Sequence, residues 1–201
     1  KEWDTGSINT LEAFLDWGMQ TGRADNYALI LYDHGSSLGY NCQDDESSSI
    51  MSVEEIAGLL QEDKYKDLSV VAFDQCLMGS DVVVTTMEGT VENVVASEAI
   101  GYGPNQSVMF KLLLNSLETD MTPQTLSQKI VAACNCSGLL DLTLASFHTA
   151  DSTLSEALQA FGEASRRFSR QDWTAICKSF ALAYNYGDSI CAFSDLGFFL
   201  S

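Results

Sequence analysis

Leu68-Ser69-Val70-Val71-Ala72-Phe73-Asp74-Gln75-Cys76-Leu77-Met78-Gly79-Ser80 changes character once along its length. Its first six residues are almost continuously apolar, the pattern of a strand buried on both faces. Beyond Phe73 that run stops, and a helical pattern begins at about Ser80. A strand buried on both faces needs helices on both faces, which predicts an α/β fold with a parallel sheet. A similar strand, at 27–32, ends in Asp33-His34-Gly35. A thiol, Cys76, and an imidazole, His34, therefore both follow the carboxyl ends of strands. Neighbouring strands lie about 4.8 Å apart, and ligands of such sheets bind outside those ends. Glu98, just past a third strand at 91–97, would share the same edge.

Outward from this core, strands and helices alternate. A fourth strand is expected at 140–147, with Leu140, Leu142 and Leu144 on one face. Helices are expected at 12–19, 80–88, 106–117, 123–135, 151–168 and 171–184, with Pro123 suited to a first turn. Ser52-Val53-Glu54-Glu55 fits a capping box and starts a further short helix. The stretch 35–49 is rich in Gly, Ser, Asn and Asp and reads as a long surface loop. The whole of 1–201 reads as one domain, with a core at 1–137 and a closing strand and helices at 138–201.

The chain carries 28 acidic against 10 basic residues, a formal net charge of −18. That charge repels nucleic acid and anionic membrane surfaces; it would attract cationic partners, and it reads as well as plain solubility. A hydrophobic content of 46% supports a large core rather than disorder. The longest apolar runs are of strand length, so no membrane-spanning helix is expected. No secretory leader is visible. Cysteines stand at 42, 76, 134, 136, 177 and 191, too scattered for a disulfide scaffold. Cys134-Asn135-Cys136 lacks the spacing of a zinc site. Most of these thiols read as small core residues.

Cys76 differs by its setting. The thiolate is the nucleophile in thiol chemistry, and a free cysteine titrates near 8.5, so it needs activation. An imidazole within reach and a helix beginning just downstream supply it. His34 would then carry the proton to a leaving amine, and the N–H groups of Gly35 and Cys76 could receive an oxyanion. Taken singly, Cys76 reads as a buried structural thiol and His34 as a satisfied strand-end histidine; their joint placement at two successive strand ends is what raises the functional reading. His148, the other histidine, has no nucleophile beside it and reads as structural. Asp74 could simply close its strand, or it could line a pocket that selects Arg or Lys through a charge-assisted pair.

Tyr32-Asp33-His34-Gly35 and Phe73-Asp74-Gln75-Cys76-Leu77-Met78-Gly79-Ser80 resemble the two signature blocks of the clostripain-like cysteine peptidases, of the clan that holds caspases, gingipains, legumain and separase. The resemblance extends through Leu11–Trp17 and Ala96-Ser97-Glu98, thins after Gly138, and returns at Ser194-Asp195-Leu196-Gly197. It implies a caspase-like three-layer α/β sandwich and a Cys–His dyad of Cys76 and His34. It also implies cleavage after Arg or Lys, with Asp74, Ser97 and Glu98 lining the pocket. It further implies a bacterial protein that is secreted or held at the cell surface.

Three departures shape the expectations. Family members usually carry several glycines after the histidine, where this chain has Gly35-Ser36-Ser37. The family fold opens with a strand, a helix and a second strand before the segment matching Leu11. The chain therefore reads as a fragment, or as one whose sheet a separate N-terminal chain or segment completes, with an exposed edge until then. Relatives often self-cleave at a basic residue after the histidine, yet no Lys or Arg occurs between Gly35 and Asp63. Some relatives respond to calcium, and Asp44-Asp45-Glu46 could contribute ligands, although the cluster lacks the EF-hand pattern. No other cofactor is expected. The reading is a cysteine endopeptidase acting on peptides or proteins with Arg or Lys at the cleaved position. The competing readings are an inactive caspase-like binding or scaffold module, and another thiol acyl-transferase or amidohydrolase with the same dyad.

Overall fold

A computed structural model describes residues 2–100, 106–136 and 144–182. They form two compact units, 1–151 and 152–201. The first is built on a four-stranded sheet in the order β1-β4-β5-β6, with β1 at Tyr27–Tyr32, β4 at Leu68–Asp74, β5 at Asn93–Ser97 and β6 at Leu144–His148. β1, β4 and β5 run parallel, whereas β6 runs antiparallel to β5. Every residue of β4 and β5 is buried, as central strands covered on both faces require.

Alternation of side chains along the strands divides the core in two. Leu29 and Leu31, Val71 and Phe73, and Val94 and Ala96 face one layer. That layer holds α1 (Ile8–Thr21), α2 (Val53–Leu60) and α3 (Asp81–Met87), through Leu11, Leu15, Ile56, Leu60, Val83 and Met87. Val70, Ala72 and Val95 face the other, made of α4 (Gln106–Ser116) and α5 (Pro123–Cys136), through Met109, Leu113, Ile130, Ala133 and Cys134. The architecture is thus the expected α/β sandwich with a mostly parallel sheet. The capping box also forms: Ser52 Oγ accepts from the Glu55 N–H at 3.2 Å, and Glu55 Oε2 accepts from the Ser52 N–H at 2.8 Å.

The stretch 35–49 departs from the expected loop. It contains β2 (Tyr40–Gln43), which pairs with β3 (Ile50–Ser52) in a small antiparallel hairpin. The register shifts between Asn41 and Gln43, where Cys42 adopts φ 54°. That bulge breaks the period-2 pattern by which a strand is recognised. Asp44 fixes the hairpin turn. Its Oδ1 accepts from the N–H groups of Glu46 (3.0 Å) and Ser47 (2.8 Å) and from Ser47 Oγ (3.0 Å). Its Oδ2 accepts from Thr5 N (3.0 Å) and Thr5 Oγ1 (3.3 Å), so the segment before α1 is stitched to the turn.

These donors, Ser47 and Thr5 foremost, hold the Asp44 carboxyl down at about 2. A group whose folded value lies below its unfolded value, about 3.9 for Asp, stabilises above the unfolded value and loses that contribution as pH falls through the folded one. Asp44→Asn should therefore melt below the parent at pH 7. The difference should narrow between about pH 4 and pH 2, as read by paired thermal melts.

The second unit contains α6 (Thr153–Ser165) and α7 (Arg170–Leu182). Phe168, in the turn between them, packs edge-on to Phe161 and Trp173. Residues 1, 101–105, 137–143 and 183–201, with Cys191 and the segment Ser194-Asp195-Leu196-Gly197, lie outside the described residues. No described helix is long and apolar enough to cross a membrane.

Candidate active site

Strand register decides what meets at the carboxyl edge. The last paired residues of β1 and β4 are Tyr32 and Asp74. His34 and Cys76 each stand two residues beyond that pair, on adjacent parallel strands. His34 is exposed and Cys76 partly exposed. The segment that follows Cys76 turns across the end of β5: Leu77 N–H bonds the Ala99 carbonyl at 3.2 Å, and Gly79 N–H bonds the Ser97 carbonyl at 2.8 Å. Leu77 takes φ 61°, a left-handed conformation that a bulky side chain enters only at a cost. This residue lies between the nucleophile candidate and α3. A side chain at Gly79 would lie 2.9 Å from the Ser97 and Glu98 backbone, so only glycine allows this approach.

On the other flank, the loop after His34 lies directly on the Cys76 block. A Cβ at Gly35 would fall 2.7 Å from the Cys76 carbonyl oxygen, 2.8 Å from Met78 Cγ and 2.9 Å from Gln75 Cβ. Gly35 forms a bridge with Asn41, and the Cys42 N–H bonds the His34 carbonyl at 3.3 Å. The His34 N–H is taken by Asp33 Oδ1 at 2.6 Å.

The structure thus brings His34, Gly35, Cys76, Ser97 and Glu98 to one sheet edge. Ser97 is fully buried, and its hydroxyl exchanges hydrogen bonds with the Ala99 backbone, donating to O and accepting from N at 3.1 Å each. Glu98 is partly exposed beside Gly79. Asp74 continues the Val70–Ala72 face toward α4 and α5. It is 6% exposed, its Oδ2 has no hydrogen-bond partner, and burial pushes its carboxyl above the usual range. Its charge reaches Cys134, whose thiol is pushed up to about 11, first by burial and then by Asp74. Asp44, buried, and Asp45 and Glu46, exposed, lie in the hairpin turn, with the Asp44 oxygens occupied as described. Among the described residues no three His, Cys, Asp or Glu side chains gather as a metal cluster. His148 pairs with Asn93, at the opposite end of β5 from Ser97.

Two contacts escape a reading of the sequence. Gln75 Nε2 donates to Cys42 Sγ at 3.3 Å, and Ser80 Oγ donates to the Ser37 carbonyl at 2.8 Å. Both join residues 33 to 43 positions apart, and no local pattern announces them.

Comparison with known proteins agrees with this architecture. An inactive zymogen C11 protease from Parabacteroides distasonis superposes with a TM-score of 0.63 at 14% identity, over 97% of this chain and 54% of that one. The secreted C11 cysteine protease iotapain of Bacteroides thetaiotaomicron gives 0.69 at 12% identity, over 97% and 58%. A secreted C11 cysteine protease from the same organism, in complex with an irreversible peptide inhibitor, gives 0.61 at 14%, over 90% and 52%. The chain spans a little over half the length of these structures. No curated protein matches it. The clostripain family model matches residues 1–146, and the chain belongs to that family of C11 peptidases.

Proposed function

We propose that the chain is the catalytic segment of a cysteine endopeptidase that cleaves on the carboxyl side of Arg or Lys. The observation that carries this reading is the common register of His34 and Cys76, each two residues past Tyr32 and Asp74 on paired strands. The Cys76 sulfur attacks the scissile carbonyl carbon, and the negative charge formed on the oxygen is received by the N–H groups of Gly35 and Cys76. Collapse breaks the C–N bond. The amine leaves with the proton held by His34, and a thioester remains on Cys76. Water, giving a proton to His34, then hydrolyses the thioester and regenerates the thiol.

Asp74 is the selecting group of this proposal. A buried carboxylate with an unpartnered oxygen is costly alone, and a guanidinium or ammonium group entering from the edge supplies the missing partner. Ser97 acts by holding the Ala99 turn that walls the pocket, and Glu98 stands at its rim. The five donors on Asp44 make its role structural in this proposal, with calcium not required for the chemical step. β1, paired on one side with β4 among the described residues, is the edge where a further N-terminal segment would add. A secreted bacterial protein is proposed, in line with the secreted neighbour from Bacteroides.

An arginyl chloromethyl ketone should alkylate Cys76 at neutral pH, with the adduct located by peptide mass mapping. A lysyl reagent should react likewise, and an aspartyl reagent much more slowly. No adduct with any reagent would reject the peptidase reading in favour of a scaffold module. Equal rates with all three would reject the basic-residue preference.

A further inference from the structure

Gln75 is a residue that the chemistry above does not use. It is 2% exposed, yet its amide is only partly satisfied. Nε2 donates to a thiol sulfur, a weak acceptor, and Oε1 is buried with no partner at all. An apolar side chain of similar length would fill the same space without stranding an acceptor. Stability therefore does not account for a glutamine here.

Its contacts give a different account. Cys42 is the far end of the loop whose near end is His34, and its own N–H closes that loop on the His34 carbonyl. Gln75 immediately precedes Cys76. The Gln75–Cys42 contact thus ties the two loops together. Ser80 ties them a second time. Its hydroxyl donates to the Ser37 carbonyl at 2.8 Å and accepts the Val83 N–H at 3.3 Å, so one oxygen caps α3 and anchors the His34 loop. Gly35, in the same loop, is in close contact with the Cys76 block.

We propose that Gln75 and Ser80 are positioning residues that clamp the His34 loop against the Cys76 turn and set the imidazole–sulfur geometry, themselves touching neither substrate nor reacting atoms. The proposal rests on the dyad reading above. Displacing a reacting group by about 1 Å costs on the order of 100-fold in rate, which sets the effect expected from releasing either tie.

Two variants separate positioning from folding. Gln75→Leu removes the tie and the stranded acceptor together. Ser80→Asp keeps a helix cap, since aspartate accepts the Val83 N–H well, but an ionised carboxylate cannot donate to the Ser37 carbonyl. Gln75→Leu should melt close to the parent or above it, whereas Ser80→Asp, which leaves the Ser37 carbonyl without its donor, should melt somewhat below the parent but stay folded. Each should lower kcat for an arginyl amide about 100-fold with KM little changed, and slow Cys76 alkylation by iodoacetamide toward the rate of His34→Ala. Ser80→Thr, which restores the donor, should recover most of the parent rate. Either folded variant keeping parental kcat and alkylation rate, while His34→Ala is slow, would overturn the positioning role. Should Gln75→Leu fail to fold, the Ser80→Asp and Ser80→Thr pair still decides. If His34→Ala itself alkylates as fast as the parent, the dyad reading fails and this inference falls with it.

Discussion

Cys76→Ala is expected to lower kcat/KM for an arginyl amide by about 10,000-fold or more, while the folded signal and melting temperature stay near the parent's. The magnitude follows from the way nucleophile and base act as one unit: losing either member forfeits nearly the whole covalent route. His34→Ala should therefore cost a similar factor, and the double variant little more than either alone. That non-additivity is the informative result, because two independent contributions would multiply instead. The fold should survive for a local reason. Cys76 is only partly buried, and the strand that carries it is held by Val71 and Phe73 in one core and Val70 and Ala72 in the other. Removing one sulfur from the edge leaves that packing in place. Full turnover by Cys76→Ala would rule out the thioester pathway.

How much of this was legible beforehand depends on what each element is made of. β4 announces itself because a strand covered on both faces must be apolar throughout, and 68–73 nearly is. His34 and Cys76 follow from the same logic, since a break from apolar to polar residues marks a strand's end wherever it falls. The direction of β6 was not legible, because apolar content says that a strand is buried, not which way it runs. β2 and β3 were hidden for another reason. Asn41 and Gln43 are polar, the bulge at Cys42 removes alternation, and the turn is fixed by the Asp44 carboxylate rather than by an apolar pattern. Gln75 is the sharpest case. Within its block it reads as one more polar residue at a strand end, and only folding shows that it is buried against Cys42. Contacts across long sequence separations leave no periodic trace.

Asp74→Asn is expected to move stability and specificity in opposite directions. In the folded chain the Asp74 carboxyl is raised above its ordinary value by burial. For an acid, a raised folded value means that folding opposes ionisation. The penalty is absent below the unfolded value of about 3.9, grows as pH rises toward the folded value, and is complete above it. At pH 7 the parent bears that penalty and the amide does not, so Asp74→Asn should melt above the parent. The gap should shrink as pH is lowered toward 4. Activity should respond the other way. An asparagine keeps the shape of the side chain but could not neutralise the guanidinium of the proposed substrate, and a buried charge left without its counter-charge is strongly disfavoured. Cleavage after Arg should fall by about 100-fold to 10,000-fold, whereas alkylation of Cys76 by small neutral iodoacetamide should be unchanged. The same opposition predicts that a non-cleavable arginyl ligand stabilises the parent more than the variant, since only the parent gains a partner for its stranded oxygen. A variant that is less stable at pH 7 would mean that Asp74 serves the fold. One that keeps full selectivity for Arg would mean that the basic side chain is recognised elsewhere on the sheet edge, with Glu98 the next residue to test.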